Sequence, residues 1–357
     1  MAEAIIAYDA LTAYAAAVLQ KLGYSEREAQ ITARVLVEAD ARGVPSHGVA
    51  RLSFYESNIK AQAAFPGEEP EVVHETPLSL VVDGHNGIGP YLADFTMNRV
   101  IEKAKMAGAG FGALRNSNHF GMAGIWAEMA TAEGFMGMAF CTTRTSAIPT
   151  FGRERIMGTN PVCFAIPSAG KRDFMLDMAT TVVAHGKVEV YERRSKPMPL
   201  GWAVDENGLD TTDTQHFQTL FRSDQPLGGH LFLGGGGEEL GGHKGFGLGL
   251  FVELLCAGMS MGSWSKESFK GNGAALSCFF GAIRTDLFGD PKEIEEHVEH
   301  ILEGVRNSAP AEGHERIYIH GEKEGEARER ALTDGIELDE ATWDILQGYA
   351  TRFDLEL

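Results

Sequence analysis

Two short segments carry side chains of the types, and at the spacings, that suit proton transfer beside a fixed cation. The first is Arg42-Gly43-Val44-Pro45-Ser46-His47-Gly48-Val49-Ala50-Arg51. On a helix predicted from His47 through Lys60, Arg51 follows His47 by four residues and Tyr55 follows Arg51 by four, which puts one side chain per turn on one face. Such a stripe offers an imidazole for proton transfer, a guanidinium whose fork pairs with a carboxylate, and a hydroxyl. A 2-hydroxy or 2-oxo acid needs that set, with one group for its oxygen and one for its carboxylate. The plain alternative is a solvated stripe behind an N-capping Ser46. The second segment is Arg115-Asn116-Ser117-Asn118-His119-Phe120-Gly121. It follows an apolar strand and precedes a helix, so His119 stands at a strand's C-terminal end, where ligand sites of α/β proteins collect. A turn rich in Asn for backbone reasons is its plain reading.

Other signals are weaker. Gly84-His85-Asn86-Gly87-Ile88-Gly89 follows a strand and opens a helix, but its spacing is not that of a Rossmann loop. Gly108-Ala109-Gly110-Phe111-Gly112 leaves a helix and enters a strand, the wrong order, and Gly245-Phe246-Gly247-Leu248-Gly249 lies inside a helical pattern. No GxxxxGK[ST] loop occurs. His297 and His300 lie three apart on an acidic helix with no third ligand in view, and no metal is called for.

The elements that must position these residues form a mixed α/β (α+β) pattern. Three helices fill the first ~60 residues, the second opened by the capping box Ser25-Glu26-Arg27-Glu28. Strands are predicted over 78–84, 110–116, 135–143, 162–167 and 173–179, with helices after the first two of them. Residues 195–242 read as irregular. A helix beginning GFGLGLF, the strand AALSCFFGAI, a helix PKEIEEHVEHILEGVRN, a strand RIYIH and an acidic helical tail follow.

The chain has 357 residues, 44% hydrophobic and 23% charged, which is ordinary globular composition. Its net charge of −19 repels phosphate backbones and anionic lipid, so neither nucleic acid nor membrane is an expected partner. No apolar run approaches the ~20 residues that cross a bilayer. The N-terminus carries Glu3 and Asp9 and reads as a helix start, not a signal peptide. Cys141, Cys163, Cys256 and Cys278 lie singly in apolar stretches and read as buried free thiols of a cytoplasmic protein.

Taken together, the segments RGVPSHGVAR (42–51), RNSNHFGMAG (115–124), GTNPVCFAIP (158–167), DMATTVVAHGK (177–187), PLGWAVDENGLDTTD (199–213), PLGG (226–229) and HKGFGLGL (243–250) resemble the type-2 malate/L-lactate dehydrogenases. These are NAD(P)-dependent 2-hydroxyacid dehydrogenases without a Rossmann fold. Relatives include sulfolactate, ureidoglycolate and diketogulonate enzymes and cyclic imino-acid reductases. The resemblance implies a mostly antiparallel nucleotide-binding sheet flanked by helices, a helical unit built from both chain ends, and a homodimer. The implied division is 1–75 with 310–357, 76–125 with 265–309, and 126–264 for the nucleotide. It implies Ser46, His47 and His119 as the catalytic cluster, with Arg51 on the substrate carboxylate; the spacing adds Tyr55 as a second substrate-binding candidate. It implies cofactor contacts from His119, Phe120, Gly121, Thr142, Thr143, Asn160, Asp177, Met178, Ala179, His243, Lys244 and Gly245, and a further one near Gly321-Glu322. Either His47 or His119 would transfer the proton. The cofactor is NAD or NADP, the surplus of acid favouring NAD. The substrate is a small anionic 2-hydroxy or 2-oxo acid, with a cyclic imino acid or a ureidoglycolate-type substrate as the alternative, and a nucleotide-binding protein without catalysis as the remote one. Arg144 and Thr145, His320 and Glu238-Glu239 depart from the usual pattern.

Overall fold

The computed structural model describes residues 4–356. The chain begins with strand β1 (Ala4–Ile6), helices α1 (Tyr8–Lys21) and α2 (Glu26–Ala41), two 3-10 turns (Pro45–His47 and Val49–Arg51) and α3 (Leu52–Lys60). The capping box at Ser25 forms as expected: the Ser25 hydroxyl accepts the Glu28 N–H, and the Glu28 carboxylate accepts the Ser25 N–H at 2.7 Å. The helix predicted over residues 47–60 forms only from Leu52. Gly48 is extended (ψ −164°) and separates His47 from Arg51, so the two do not share a helix face.

Next come β2 (Glu71–Glu75), β3 (Ser79–Asp83), α4 (Gly89–Ala107), β4 (Ala109–Ser117), α5 (Gly124–Thr131), β5 (Phe135–Cys141), β6 (Val162–Ile166) and β7 (Phe174–Met178). After these lie α6 (His185–Arg193), β8 (Ala203–Val204), α7 (Thr214–Arg222), β9 (Gly229–His230) and α8 (Gly242–Glu253), then β10 (Leu276–Arg284) and α9 (Pro291–Arg306). The chain closes with α10 (Glu322–Asp334), β11 (Ile336–Leu338) and α11 (Glu340–Phe353).

Seven strands make one sheet in the order β2-β3-β4-β10-β5-β6-β7, and every pairing is antiparallel except β3 with β4, which α4 connects. The sheet draws strands from residues 71–75 as well as from 76–125, 126–264 and 265–309. Its register decides what meets at one edge. Leu276 pairs with Ser117, Cys278 with Cys141, and Val162 with both Phe140 and Met178. The C-terminal ends of β4, β5 and β7 therefore lie side by side, and with them the segments after residue 117, after 141 and around 177.

One core lies between this sheet and α4 and α5, with Trp126, Phe280, Leu92 and Met97 fully enclosed. A second core joins α1, α2 and α3 to Ile336, Leu338, Leu346 and Tyr349 from the far end of the sequence, as the resemblance implies. β1 pairs antiparallel with β11 across the same boundary, Ala4 opposite Leu338. The irregular stretch 195–242 contains α7, which Asp213 caps by accepting the His216 N–H at 2.9 Å; the helix buries Phe217 against Val183, Val188 and Met198. RIYIH is not a strand: it passes edge strand β7 with one backbone bond, Met175 N–H to the His320 carbonyl at 3.3 Å. All four cysteines are buried free thiols. No helix among the described residues is long and apolar enough to cross a membrane.

Candidate active site

His119 follows β4 on the shared edge, and the turns after α2 bring His47 against it. The two imidazoles stack with centroids 5.4 Å apart and planes 25° from parallel. Phe54 meets the His119 ring edge-on at 5.7 Å. The Ser46 hydroxyl lies 3.0 Å from His47 Nδ1, which pairs the two as the sequence suggests. Arg51 donates through Nε to the Ser46 carbonyl at 2.5 Å, and its guanidinium rests 5.7 Å over the Phe54 ring. No carboxylate pairs with Arg51 among the described residues, so its remaining N–H groups stand beside the two imidazoles uncommitted to any acid.

Tyr55 behaves differently from the reading by spacing. It is 4% exposed, and its hydroxyl lies 2.9 Å from His119 Nδ1, behind the ring and not open to a substrate. Burial, against a small opposing effect of Arg51, holds this phenol well above its ordinary pKa, so it stays protonated. The Gly121 backbone N–H also points at His119 Nδ1, at 3.4 Å. A backbone N–H can only donate, so Nδ1 accepts from both neighbours and the ring proton of neutral His119 sits on Nε2. Burial, then the neighbouring His47 and Arg51, push the His119 pKa well below its usual value. Burial and Arg51 bring His47 down to about 4. Both rings are neutral at physiological pH.

Farther along the edge, β7 ends at Asp177. Its carboxylate accepts the Gly124 N–H at the start of α5 at 2.6 Å, and burial raises its pKa to about 6. His243 and Lys244 are exposed in the first turn of α8, and Lys244 forms no ion pair among the described residues. The glycines before them allow a close approach. A Cβ on Gly242 would fall 2.0 Å from the Gly235 carbonyl oxygen, and one on Gly245 would fall 2.3 Å from that of Leu233. Leu233 in turn donates to the Thr180 carbonyl at 2.9 Å, which ties the α8 N-terminus to the end of β7. Unpaired helix N–H groups and a lysine without an ion pair among the described residues fit the diphosphate of a dinucleotide, while Asp177 turns to the α5 side of the sheet.

Several expected contact residues are committed elsewhere through their side chains. Asn160 is fully buried; its amide donates to the Gly249 carbonyl at 3.1 Å and Glu253 at 2.9 Å and accepts from Thr143 N–H at 3.3 Å. Thr142 exchanges hydrogen bonds with the Ser277 backbone. Phe120 is enclosed between Trp126 and Phe280. Met178 packs with Val162 and Val252. These residues shape the edge from behind. Gly321 lies against Met175 of β7, and Glu322 is engaged by Arg306 at 2.8 Å. Two further side chains flank the cluster. Asp40, one acid among several in α2, lies beneath the turn that carries His47. Asn118 Oδ1, next to His119, is buried with no partner.

Residues 6–347 match the family model described as malate/L-lactate dehydrogenase. The chain is 40% identical to a malate dehydrogenase of Pyrococcus horikoshii over 350 residues, covering 98% of this chain and 95% of that one. It is 35% identical to an L-sulfolactate dehydrogenase of Methanocaldococcus jannaschii, covering 95% and 94%. The crystal structure of malate dehydrogenase from Entamoeba histolytica superimposes with a TM-score of 0.94 at 32% identity, covering 99% of each chain.

Proposed function

Because the chain belongs to the malate/L-lactate dehydrogenase family, we propose that it interconverts malate and its 2-oxo acid at the His47–Arg51–His119 cluster. The chain is a 2-hydroxyacid dehydrogenase dependent on a nicotinamide cofactor. Malate as its substrate rests on the 40% identity to a malate dehydrogenase. The placement of the chemistry rests on one observation: an arginine without a carboxylate partner beside two stacked neutral imidazoles.

The nicotinamide supplies the hydride acceptor or donor. Arg51 pairs with the substrate carboxylate and fixes the plane of the molecule. His119 donates Nε2–H to the substrate oxygen and stabilises negative charge as it develops there. His47 holds the proton that leaves or returns to that oxygen, with Ser46 orienting its ring through Nδ1. Substrate binding helps this step: once the carboxylate neutralises Arg51, one of the two effects lowering the His47 pKa is cancelled, and the imidazole becomes a better base. Lys244 and the α8 N-terminus would hold the diphosphate, and Asp177 would accept from a ribose hydroxyl.

The acidic surface and Asp177 favour NAD. One observation favours NADP: Arg144 stands exposed on the same edge after β5 with no carboxylate partner among the described residues, where it could meet a phosphate. The working unit is a homodimer. Phe251, Leu254, Met259 and Met261 form an exposed apolar stripe on and after α8, which a second copy would cover. Four free thiols suit the reducing cytoplasm. A panel of malate, lactate, sulfolactate, ureidoglycolate, their oxo forms and a cyclic imino acid, each with NAD(H) and NADP(H), tests the reading. Malate with kcat/KM at least tenfold above the rest is expected. A cyclic imine leading the panel would overturn the substrate assignment.

A further inference from the structure

The loop that carries Ser46 and His47 is not part of a regular α-helix, yet the cluster needs both side chains in fixed places. Besides the Arg51 bond to the Ser46 carbonyl, a carboxylate tethers the loop. Asp40, in the last turn of α2, accepts the Val49 N–H through Oδ2 at 2.7 Å. The other carboxylate oxygen lies directly beneath Gly48: a Cβ built on that residue would fall 1.8 Å from Asp40 Oδ1. The dihedrals of Gly48 (φ −85°, ψ −164°) are open to any residue, so glycine is required there by the carboxylate and not by the backbone. The loop thus rests on Asp40 from Gly48 to Val49, immediately after His47.

We propose that Asp40 is a positioning residue of the dehydrogenase, whose carboxylate clamps the 45–49 loop and thereby sets His47 against His119. The inference rests on the reading of His47 as the proton-transfer group. The clamp is electrostatically uncompensated. Among the described residues no Lys, Arg or His pairs with Asp40, and the charged group that acts on it from a neighbouring element is another acid, Asp339 at the start of α11. Burial and Asp339 raise the Asp40 pKa to about 7, against the opposing pull of the Val49 N–H. A carboxylate accepts the Val49 N–H more strongly than a carboxylic acid does. The clamp therefore tightens as pH rises through 7 and loosens below it.

The test uses Asp40→Ala, Asp40→Asn, Gly48→Ala and His47→Gln, with kcat/KM measured at saturating cofactor and amide hydrogen exchange followed over residues 45–51. In the parent protein, kcat/KM is expected to fall as pH drops below 7. Asp40→Asn keeps an oxygen for Val49, so it should stay within about fivefold of the parent at pH 6 and lose the limb near pH 7. Asp40→Ala and Gly48→Ala should each lower kcat/KM tenfold or more, leave NADH binding unchanged and speed exchange at Val49. If Asp40→Ala does not fold, the pH profile of Asp40→Asn carries the test alone. A limb near pH 7 that persists in Asp40→Asn overturns the proposal. So does Asp40→Ala with parental kinetics while His47→Gln is inactive. An active His47→Gln would instead sink the catalytic reading of His47, and exchange at Val49 would still report on the clamp.

Discussion

Replacing Tyr55 with Phe removes one oxygen and leaves the ring tilted against His119, at a centroid distance of 5.8 Å in the parent. What is lost is the 2.9 Å hydrogen bond to Nδ1. The Gly121 N–H, at 3.4 Å, is then the sole donor left to that nitrogen and lies at the outer limit of a hydrogen bond. A buried acceptor deprived of its better partner costs ~1–3 kcal/mol. If His119 must hold its proton on Nε2 and face the substrate oxygen, most of that loss falls on the transition state, where the bond orients a donor to developing charge. A value of ~2 kcal/mol corresponds to roughly a 30-fold fall in kcat. NADH affinity should be unchanged, because the phenol contacts neither the α8 N-terminus nor Asp177. Steady-state kinetics in both directions, with a fluorescence titration of NADH, make the comparison. A kcat within threefold of the parent would show that the Tyr55 hydroxyl does not orient His119, and the proton assignment on that ring would fall with it.

Two other perturbations report on separate parts of the site. Arg51→Ala should cost ~2–4 kcal/mol in kcat/KM, a charge-assisted pair being lost, while Arg51→Lys keeps the charge without the fork and should retain binding with lower turnover; parental kcat/KM in the alanine variant would mean that another cation holds the carboxylate. Asp177 has a pKa raised to about 6, so cofactor bound through its carboxylate should weaken as pH falls through 6. Asp177→Asn should flatten that dependence in an NADH titration from pH 5 to 8, and a profile unchanged in the variant would remove Asp177 from the ribose.

The sequence makes some of this architecture legible and hides the rest for identifiable reasons. The capping box at Ser25 and the strand ends at Ser117 and Cys141 are local, and local signals suffice for them. His47 and His119 are visible as candidates because Ser-His and Asn-His turns stand out from apolar elements. Their contact is not visible, since it joins the turn after α2 to the turn after β4 through packing across 72 residues. Helical spacing places His47, Arg51 and Tyr55 on one face, yet the extended Gly48 breaks the helix there. Arg51 and Tyr55 still reach the cluster, Arg51 through the Ser46 carbonyl and Tyr55 through His119 Nδ1. The resemblance implies a cofactor contact at Asn160; that its side-chain amide donates to Glu253, a partner 93 residues away, is not legible locally. Helix α7 is masked by the Gly, Pro, Asp and Thr around it, and only the burial of Phe217 reveals its apolar face.

The strand pair of β1 with β11 bears on when the protein becomes an enzyme during its synthesis. The loop with Ser46 and His47 leaves the ribosome early, while β11 and α11, which pack beside it, leave much later. Tyr349 and Arg352 of α11 reach back to Glu56 of α3 at 2.7 and 2.6 Å, and Tyr14 of α1 donates to the Leu346 carbonyl at 2.6 Å. A nascent chain stalled before residue 336 holds every residue of the proposed catalytic cluster but leaves the inner faces of α1, α2 and α3 bare. Those faces stay bare until α11 has emerged, and the cluster gains its full support only then.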